Sequence, residues 1–440
     1  MPSDEVARDT IAAVATPAGR GGIGIVRVSG PQARHVAEAL VGRLPRPRRA
    51  EFARFGKPPS EAIDEGLMIY FPAPNSYTGE DVLELHGHGG PVVMQALLAA
   101  CLDAGARLAE PGEFTRRAFV EGKLDLAQAE AVADLIDASS REAARSALRS
   151  LTGEFSAAVD RLRHQIVELR ALTEAQLDFP EEELDGVHRD DVGRRLNAVR
   201  ATLQDVLARS RQGSLLREGV HVVLAGRPNV GKSSLLNRLA GEERAIVSAV
   251  PGTTRDALRE SIHIDGVALV LVDTAGLRAS GEEIERLGVA RTHSELAKAD
   301  LVLAVQEAGN SMPLPEGIPT EIPRLDVYNK IDLCPGFQPP NAALAVSAKT
   351  GEGLGALRTA LLRMAGWSSS GESVFLARER HLRALNAARH HLAHAAQEQG
   401  HGELFAEHLR LAHDALSAIT GAYTADDLLG DIFSRFCIGK

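Results

Sequence analysis

The chain has 440 residues, of which 44% are apolar and 25% are charged, a balance typical of a globular protein with an ample core. At about 150 residues per domain, this length predicts roughly three domains. No apolar run approaches the roughly 18 residues of a membrane span, no secretory signal is visible, and three scattered cysteines cannot form a disulfide framework, so we expect a cytoplasmic protein. The net charge of −10 argues against generic attraction to nucleic acid.

Residues 1–121 are predicted to form a small α+β domain. Strand-like runs occur there at residues 23–28, 66–71 and 82–85. A helical run at 92–104 follows a Gly-Gly-Pro turn.

Residues 122–213 and 371–440 are predicted to be helical, because leucine, isoleucine and alanine recur in them at three- and four-residue steps. Neither piece carries enough apolar sequence to be self-sufficient. We therefore expect the two pieces to pack together as one helical domain, with residues 214–370 inserted between them.

A phosphate-binding loop is predicted at Gly226-Arg-Pro-Asn-Val-Gly-Lys-Ser233, between a strand-like run at 220–225 and a helical run at 234–239. Glycines allow backbone N–H groups to turn toward phosphate oxygens, while Lys232 meets the β- and γ-phosphates and the Ser233 hydroxyl ligates Mg²⁺. The candidate nucleotide contacts in this loop are Asn229, Val230, Gly231, Lys232, Ser233 and Ser234.

Three further motifs follow in the order expected of a GTP-binding domain with a mostly parallel sheet. Asp273-Thr274-Ala275-Gly276 supplies a carboxylate for the Mg²⁺ shell and a backbone N–H for the γ-phosphate. Asn329-Lys330-Ile331-Asp332 places a carboxylate that accepts hydrogen bonds from guanine and not from adenine, and Ser347-Ala348-Lys349 offers a backbone N–H to the guanine carbonyl.

The residues that drive hydrolysis differ from the Ras pattern. Thr254 is the candidate switch threonine for Mg²⁺, with Thr253 as the alternative. Leu277 occupies the place of the glutamine that orients water in Ras, so another group must hold the attacking water. Candidates lie in the acidic run 282–285, and the amide of Asn229 is suited to hold a monovalent cation against the phosphates.

The chain resembles the MnmE (TrmE) family of tRNA-modifying GTPases over essentially its whole length. The segments that carry this resemblance are residues 16–24, 76–85, 86–91, 111–119, 123–131, 252–256 and the Phe-Cys-Ile-Gly-Lys motif at 436–440. The last motif is the most specific, because it is short and contains a cysteine.

The resemblance implies an activity and a set of partners. The amino-terminal domain of the family binds a tetrahydrofolate derivative, in the 5-formyl or 5,10-methylene form, and makes the homodimer contact. With an FAD-containing partner of the MnmG type, the family adds an aminomethyl or carboxymethylaminomethyl group to C5 of the wobble uridine of certain tRNAs. K⁺-dependent dimerisation of the GTPase domains triggers GTP hydrolysis.

Matching positions carry the family's roles onto this sequence. Asn229 matches the K⁺ ligand, and the backbone around Ser248, Val250 and Thr253 completes that site. Glu285 matches the acid that positions the catalytic water. The folate-contacting positions correspond to Arg27, Glu84, Lys123 and Lys440.

Cys437 has three readings: an inert buried thiol, a poor prenylation signal, or a thiol near the one-carbon chemistry that acts as nucleophile or proton donor, as the resemblance implies. Two alternatives to the whole function are a ribosome-assembly GTPase of the Era/EngA type and a GTP-dependent switch or scaffold. The first leaves the amino-terminal 213 residues unexplained.

Overall fold

The structure is a computed structural model that describes residues 9–56, 62–178, 187–242, 259–273, 299–310, 321–340, 343–367, 374–421, 426–434 and 436–439. The chain divides into two compact units. One unit comprises Met1–Ala133 and Ser417–Lys440, and the other comprises Asp134–Leu416. Among the helices in these described ranges, none is long and apolar enough to cross a membrane.

A mixed sheet forms the centre of the first unit. Its strands are β1 (Ile11–Val14), β2 (Gly21–Ser29), β3 (Glu51–Phe55), β4 (Asp64–Phe71), β5 (Val82–Gly89) and β6 (Arg107–Leu108). Their order across the sheet is β3-β4-β5-β2-β1-β6. All neighbours run antiparallel except β1 and β6, which are parallel.

The helices of this part of the chain are α1 (Ala33–Val41), α2 (Pro91–Asp103), α3 (Glu113–Val120) and α4 (Leu126–Ile136). Helix α2 begins at a proline. Proline is favoured at the first helical position, because an N–H there has no hydrogen-bond partner within the helix and its absence costs nothing. Helices α1 and α2 pack against the sheet and bury its apolar face. The predicted α+β domain is confirmed.

Alternation along the two central strands decides which side chains face away from these helices. In β2, Val26 and Val28 are buried in the helix-covered core, and in β5 Leu83 and Leu85 are buried there too. Since successive side chains of a strand point to opposite faces, the residues between them lie on the other face of the sheet. That face therefore carries a charged residue from each central strand.

The second unit begins with the helices α5 (Arg141–Leu151), α6 (Glu154–Asp178) and α7 (Val187–Glu218). The Ser140 side chain caps α5 by accepting a hydrogen bond from the backbone N–H of Ala143, at 3.1 Å. Helix α7 continues through residue 213, where the sequence predicted the start of the inserted domain, and only Gly219 separates it from the next strand. Gly219 has φ +73, and a Cβ there would lie 2.7 Å from the Ala268 carbonyl oxygen.

A second sheet follows, and it is mostly parallel as predicted. Its strands are β7 (Val220–Ala225), β8 (Arg259–Ile264), β9 (Val267–Asp273), β10 (Leu301–Glu307), β11 (Arg324–Asn329) and β12 (Leu344–Ala345). Their order is β12-β11-β10-β7-β9-β8, with only the β8–β9 pair antiparallel among the pairings in these described strands. Helices α8 (Lys232–Glu242) and α9 (Leu354–Met364) contribute apolar side chains to the core of this sheet.

The last helices are α10 (Glu379–Gln397), α11 (Gly402–Thr420) and α12 (Asp426–Ser434). Helix α10 packs along α7, and α7 also packs on α6, so sequence from both sides of the second sheet meets in one helical layer. This is the packing of two separated helical pieces that the sequence predicted. Helix α12 belongs to the first unit, where its Phe433 packs against Leu126 of α4.

Candidate functional site

The loop between β7 and α8 has the backbone of a phosphate-binding loop. Gly231 has φ +93, and a Cβ at that position would lie 2.3 Å from Nδ2 of Asn329, so a larger residue would collide. Lys232 is buried, and its Nζ donates to the carbonyl oxygens of Gly226 and Arg227 at 2.8 and 2.9 Å. Ser233 follows in the first turn of α8 with an exposed side chain. The helix amino terminus favours an anion at this position.

Asn229 sits in the same loop with φ +64, a left-handed conformation that asparagine tolerates better than most residues. Its side chain is exposed, in contrast to the neighbouring Val230, which is buried. An exposed amide oxygen in this loop suits a monovalent cation.

Asn329 joins three loops at one corner of the second sheet. Its side chain is 1% exposed, its Nδ2 donates to the Val230 carbonyl oxygen at 3.0 Å, and its Oδ1 accepts from the Ala348 backbone N–H at 3.0 Å. The phosphate loop, the Asn-Lys-x-Asp motif and the Ser-Ala-Lys motif are thus connected through one amide. Sequence reasoning assigned Asn329 to the nucleotide and missed this connecting role.

The carboxylate predicted to read guanine is fixed in the same corner. Ser347 donates from Oγ to Oδ1 of Asp332 at 2.7 Å, and the Thr350 backbone N–H donates to that Oγ at 3.1 Å. Lys330 has φ +67 and its Nζ lies 3.1 Å from Oε1 of Glu307, while Lys349 is exposed beside Ser347. The structure therefore brings together the predicted base-contacting residues of both motifs.

Several predicted residues lie outside the described part of the chain. Asp273 is within it and ends β9, paired in register with Leu224 of β7, so it lies at the same sheet edge as the phosphate loop. The others are Ser248, Val250, Thr253, Thr254, Thr274, Ala275, Gly276, Leu277, Glu285 and Lys440.

The face of the first sheet opposite α1 and α2 carries a second constellation. Arg27 of β2 and Glu84 of β5 are register partners, with Nε and Nη2 of the arginine 3.0 and 2.9 Å from Oε1 of the glutamate. Nε2 of His86 lies 3.3 Å from Oε2 of Glu84. The Arg27 guanidinium also lies 5.5 Å from the ring centre of Tyr77 and 5.8 Å from that of Phe114, within cation–π range.

These contacts keep Glu84 ionised. The hydrogen bond with His86 lowers the pKa of the Glu84 carboxyl, burial opposes this effect, and the positive charge of Arg27 lowers the pKa further. Lys123 lies elsewhere: a Cβ on Gly79 would be 3.5 Å from its Cε, which places it at the loop before β5 with an exposed side chain. The structure thus joins Arg27 with Glu84 and places Lys123 against that loop.

A buried charge network lies in the same unit. Arg117 is 4% exposed and its Nη atoms lie 2.6 Å from Asp9, 3.0 Å from Glu80 and 3.0 Å from Glu113. Burial opposes ionisation of Glu113, but hydrogen bonds from Arg107, the Glu110 backbone and Arg117 bring its pKa down to about 2. Sequence reasoning missed this network, although glutamate and arginine four residues apart on α3 signalled one of its pairs.

Residues 436–439 return to the first unit. Ile438 forms an antiparallel bridge with Pro111, and the Cys437 carbonyl oxygen accepts from the Gly112 backbone N–H at 3.4 Å. Gly439 has φ +97 and approaches β1 so closely that a Cβ would lie 2.4 Å from the Val14 carbonyl oxygen. Cys437 itself is exposed, so the reading of an inert buried thiol is wrong. The bridge holds the backbone, and the thiol is left accessible.

A phosphate loop between a parallel strand and a helix, joined to the carboxylate predicted to read guanine, defines the chain as a P-loop GTPase. A family model described as the MnmE helical domain matches residues 126–437, and one described as the GTP-binding protein TrmE N-terminus matches residues 10–123.

Full-length relatives agree with the family models. The tRNA modification GTPase MnmE of Azoarcus sp. (strain BH72) is 58% identical to this chain, and the match covers 98% of each protein. The protein of that name from Ralstonia nicotianae (strain ATCC BAA-1114 / GMI1000) is 56% identical, covering 98% of this chain and 96% of the relative. The chain belongs to the MnmE (TrmE) family of tRNA modification GTPases.

Proposed function

We propose that this chain uses GTP hydrolysis to drive the addition of an aminomethyl or carboxymethylaminomethyl group to C5 of the wobble uridine of certain tRNAs. In this proposal it acts as a homodimer with an FAD-containing partner of the MnmG type. The observation that supports the proposal is that one chain contains two groups of polar residues held together by direct contacts. One is the guanine corner around Asn329, and the other is the Arg27–Glu84 constellation on the first sheet.

In the nucleotide site, different residues contact the phosphates, the base and Mg²⁺. Lys232 exchanges its carbonyl partners for the β- and γ-phosphates, and Asp332 accepts hydrogen bonds from the ring N–H and exocyclic amine of guanine. The Ser233 hydroxyl and the carboxylate of Asp273, with the hydroxyl of Thr254, are suited to hold Mg²⁺ because they are hard oxygen donors. These contacts bind and orient the triphosphate.

Hydrolysis needs further groups that neutralise charge and place water. Asn229, with backbone oxygens near Ser248, Val250 and Thr253, would hold K⁺ against the phosphates. A cation there offsets charge that builds up on the phosphates, as an arginine finger does in other GTPases. Glu285 would orient the attacking water in place of the missing glutamine.

The Arg27–Glu84 constellation fits a tetrahydrofolate by its donor set. An ionised, half-buried carboxylate accepts hydrogen bonds from a pterin amine and ring N–H, and Arg27 donates to carbonyl or carboxylate oxygens. The rings of Tyr77 and Phe114 hold the guanidinium in place. A bound tetrahydrofolate would supply the one-carbon unit. Lys123 and Lys440 are proposed to contact its more distant anionic groups.

Cys437 is proposed to act near this one-carbon chemistry as a nucleophile or proton donor. Its exposure, and the pairing of its neighbour Ile438 with Pro111 in the unit that holds Arg27, support an accessible and positioned thiol.

The deciding experiment is nucleoside analysis of tRNA from a deletion strain. We expect C5-modified wobble uridine to be lost, to return on expression of the wild-type chain, and not to return with Lys232→Ala or Glu84→Gln. Intact modification in the deletion strain contradicts the proposal and returns the ribosome-assembly and switch alternatives to consideration.

A further inference from the structure

A polar cavity of about 330 Å³ lies between two helices of the second unit, far in sequence from every motif used above. Helices α7 and α10 pack side by side, and the cavity opens between them. Its lining is Arg200, Leu203, Gln204, Arg389, His390 and Ala393. Among the residues that the structure describes, the lining thus holds two guanidinium groups, an amide and an imidazole, and no carboxylate.

The two arginines differ from four arginines of the same helices that pair with acids. Arg194 and Arg195 of α7 pair with Asp191 of that helix, at 2.5 and 2.7 Å. Arg200 and Arg389 make no ion pair or hydrogen bond with any residue in the described ranges.

The same contrast holds farther along both helices. Arg209 of α7 lies 3.5 Å from Asp205, and Arg383 of α10 lies 3.4 Å from Glu379. The chain has 59 acidic and 49 basic residues, yet this cavity brings two arginines together with no acid among its described lining residues. Their like charges repel, and an anion between them relieves that repulsion.

The remaining polar groups suit an anion with several oxygens. Gln204 offers amide N–H donors from the α7 side of the cavity. His390 is held by a contact of 3.0 Å between its Nε2 and Nε2 of His394, one turn along α10. The buried Leu203 provides an apolar floor. Guanidinium groups bind phosphate oxygens through paired N–H donors, which makes phosphate the best match for this set.

We propose that this cavity binds a backbone phosphate of tRNA. The inference rests on the proposed function, since that function supplies an RNA substrate. It also explains how a chain of net charge −10 holds a polyanion, because the groove brings together two arginines that have no acidic partner among the described residues.

The test is tRNA binding by the full chain, measured by fluorescence anisotropy over a range of KCl concentrations. For the double variant Arg200→Gln/Arg389→Gln we expect affinity to fall about tenfold and the slope of log K against log salt to shrink by about 1, since one phosphate contact is lost. Arg200→Lys/Arg389→Lys keeps the charges and is expected to retain most of the slope.

The matched control is Arg194→Gln/Arg383→Gln, which removes two ion-paired arginines from the same helices. We expect its tRNA affinity to stay within about twofold of wild type, because each arginine already has an acidic partner. Equal losses in the two double variants, or an unchanged slope in the first, overturn the cavity proposal. Thermal unfolding of each variant checks that the helical layer is intact.

Two further measurements distinguish inorganic phosphate from tRNA as the ligand, and failure of the cavity proposal from failure of the proposed function. Inorganic phosphate, titrated by calorimetry, is expected to bind at least about tenfold more weakly to the Arg200→Gln/Arg389→Gln variant; binding of phosphate with no effect on tRNA affinity overturns the RNA assignment. If the wild-type chain does not bind tRNA, the cavity proposal fails. The proposed function fails only if wobble-uridine modification persists in the deletion strain.

Discussion

The guanine corner and the Arg27–Glu84 face are held together by different forces. In the corner, most of the hydrogen bonds come from neutral groups. The Asn329 amide forms hydrogen bonds with two backbone groups, and the Ser347 hydroxyl donates a hydrogen bond to Asp332. On the first sheet and in the network beside it, arginines and carboxylates dominate. The comparison teaches that the nucleotide site should resist changes of pH and salt, whereas the first unit should respond to them.

The largest expected effect tests whether the charge of Lys232 contributes more to GTP turnover than the neutral hydrogen bonds of the corner do. Lys232→Ala should lower kcat/KM for GTP by about 1000-fold, because Lys232 is the buried cation of the phosphate loop. Steady-state phosphate release measures this. Arg238→Ala, on the same helix, is the control and should change kcat/KM by less than about threefold. Similar losses in both variants would point to damage of α8 instead.

The second prediction concerns the charge network of the first unit. Glu113→Gln should cost about 3 kcal/mol at pH 7, because it leaves Arg107 and Arg117 short of a buried partner. Since the folded pKa of Glu113 is about 2, below the ordinary 4.5, its contribution is complete above pH 4.5 and is lost as pH falls toward 2. Hydrogen exchange of β1 and β2 amides reports this local stability.

Glu110→Gln is the matched control for that experiment. Glu110 is 62% exposed and pairs with Arg116 at 3.0 Å, so we expect a loss below about 1 kcal/mol. If Glu113→Gln leaves the acid branch of the stability curve unchanged between pH 4.5 and 2, the network does not create the pH sensitivity of this unit.

The third prediction asks whether a cation supplements the neutral corner. If Asn229 holds K⁺, GTP turnover should be about 100-fold faster in KCl than in NaCl at equal ionic strength, since a positive charge at the phosphates replaces an arginine finger. Asn229→Ala should remove the difference. Equal turnover of the wild-type chain in both salts refutes the assignment.

The fourth prediction tests the backbone fit of the corner. Gly231→Ala should destabilise the loop by about 2 kcal/mol, because alanine is strained at φ +93 and its Cβ would lie 2.3 Å from Nδ2 of Asn329. GDP affinity, measured by fluorescence titration, should fall with it. The control is Gly241→Ala on α8, where a Cβ meets nothing within 4 Å and alanine favours the helix. A fall in GDP affinity in both variants would contradict the clash.

The smallest effect belongs to the ligand site on the first sheet. Glu84→Gln should weaken 5-formyl-tetrahydrofolate binding about tenfold in calorimetry, because a neutral amide replaces an ionised acceptor and Arg27 loses its partner. Glu65→Gln removes a carboxylate from an exposed pair with Arg54 and should leave binding unchanged. Wild-type failure to bind any tetrahydrofolate would remove this site from the proposal.

The two sites also differ in how far they could be predicted from the sequence. The phosphate loop and both predicted guanine motifs are short segments with fixed spacing, and the structure brings them together through Asn329 and Ser347. Arg27 and Glu84 are separated by 56 residues and meet through the register of β2 and β5. No local pattern states a register, so only the family resemblance named this pair.

Other features escaped prediction for a similar reason. The network joins Arg117 and Glu113 of α3 to Asp9 and Glu80, which come from distant segments of the chain. In the sequence, each of these residues alone is typical of a surface charge. The exposure of Cys437 depends on a backbone bridge to Pro111 that hydrophobic patterning cannot show. The continuous helix α7 hides the predicted boundary at residue 213, because helical periodicity carries no signal where one domain passes into another.

The bridge between Ile438 and Pro111 has a consequence for biosynthesis. The first unit contains the earliest residues of the chain, yet its apolar cluster around Leu126, Phe433 and Phe436 needs sequence that the ribosome makes after the whole GTPase domain. Such contacts have very high sequence separation, which slows their formation. Until synthesis passes residue 438, the nascent amino-terminal unit exposes an unfilled apolar surface, the state in which chaperones bind multidomain proteins.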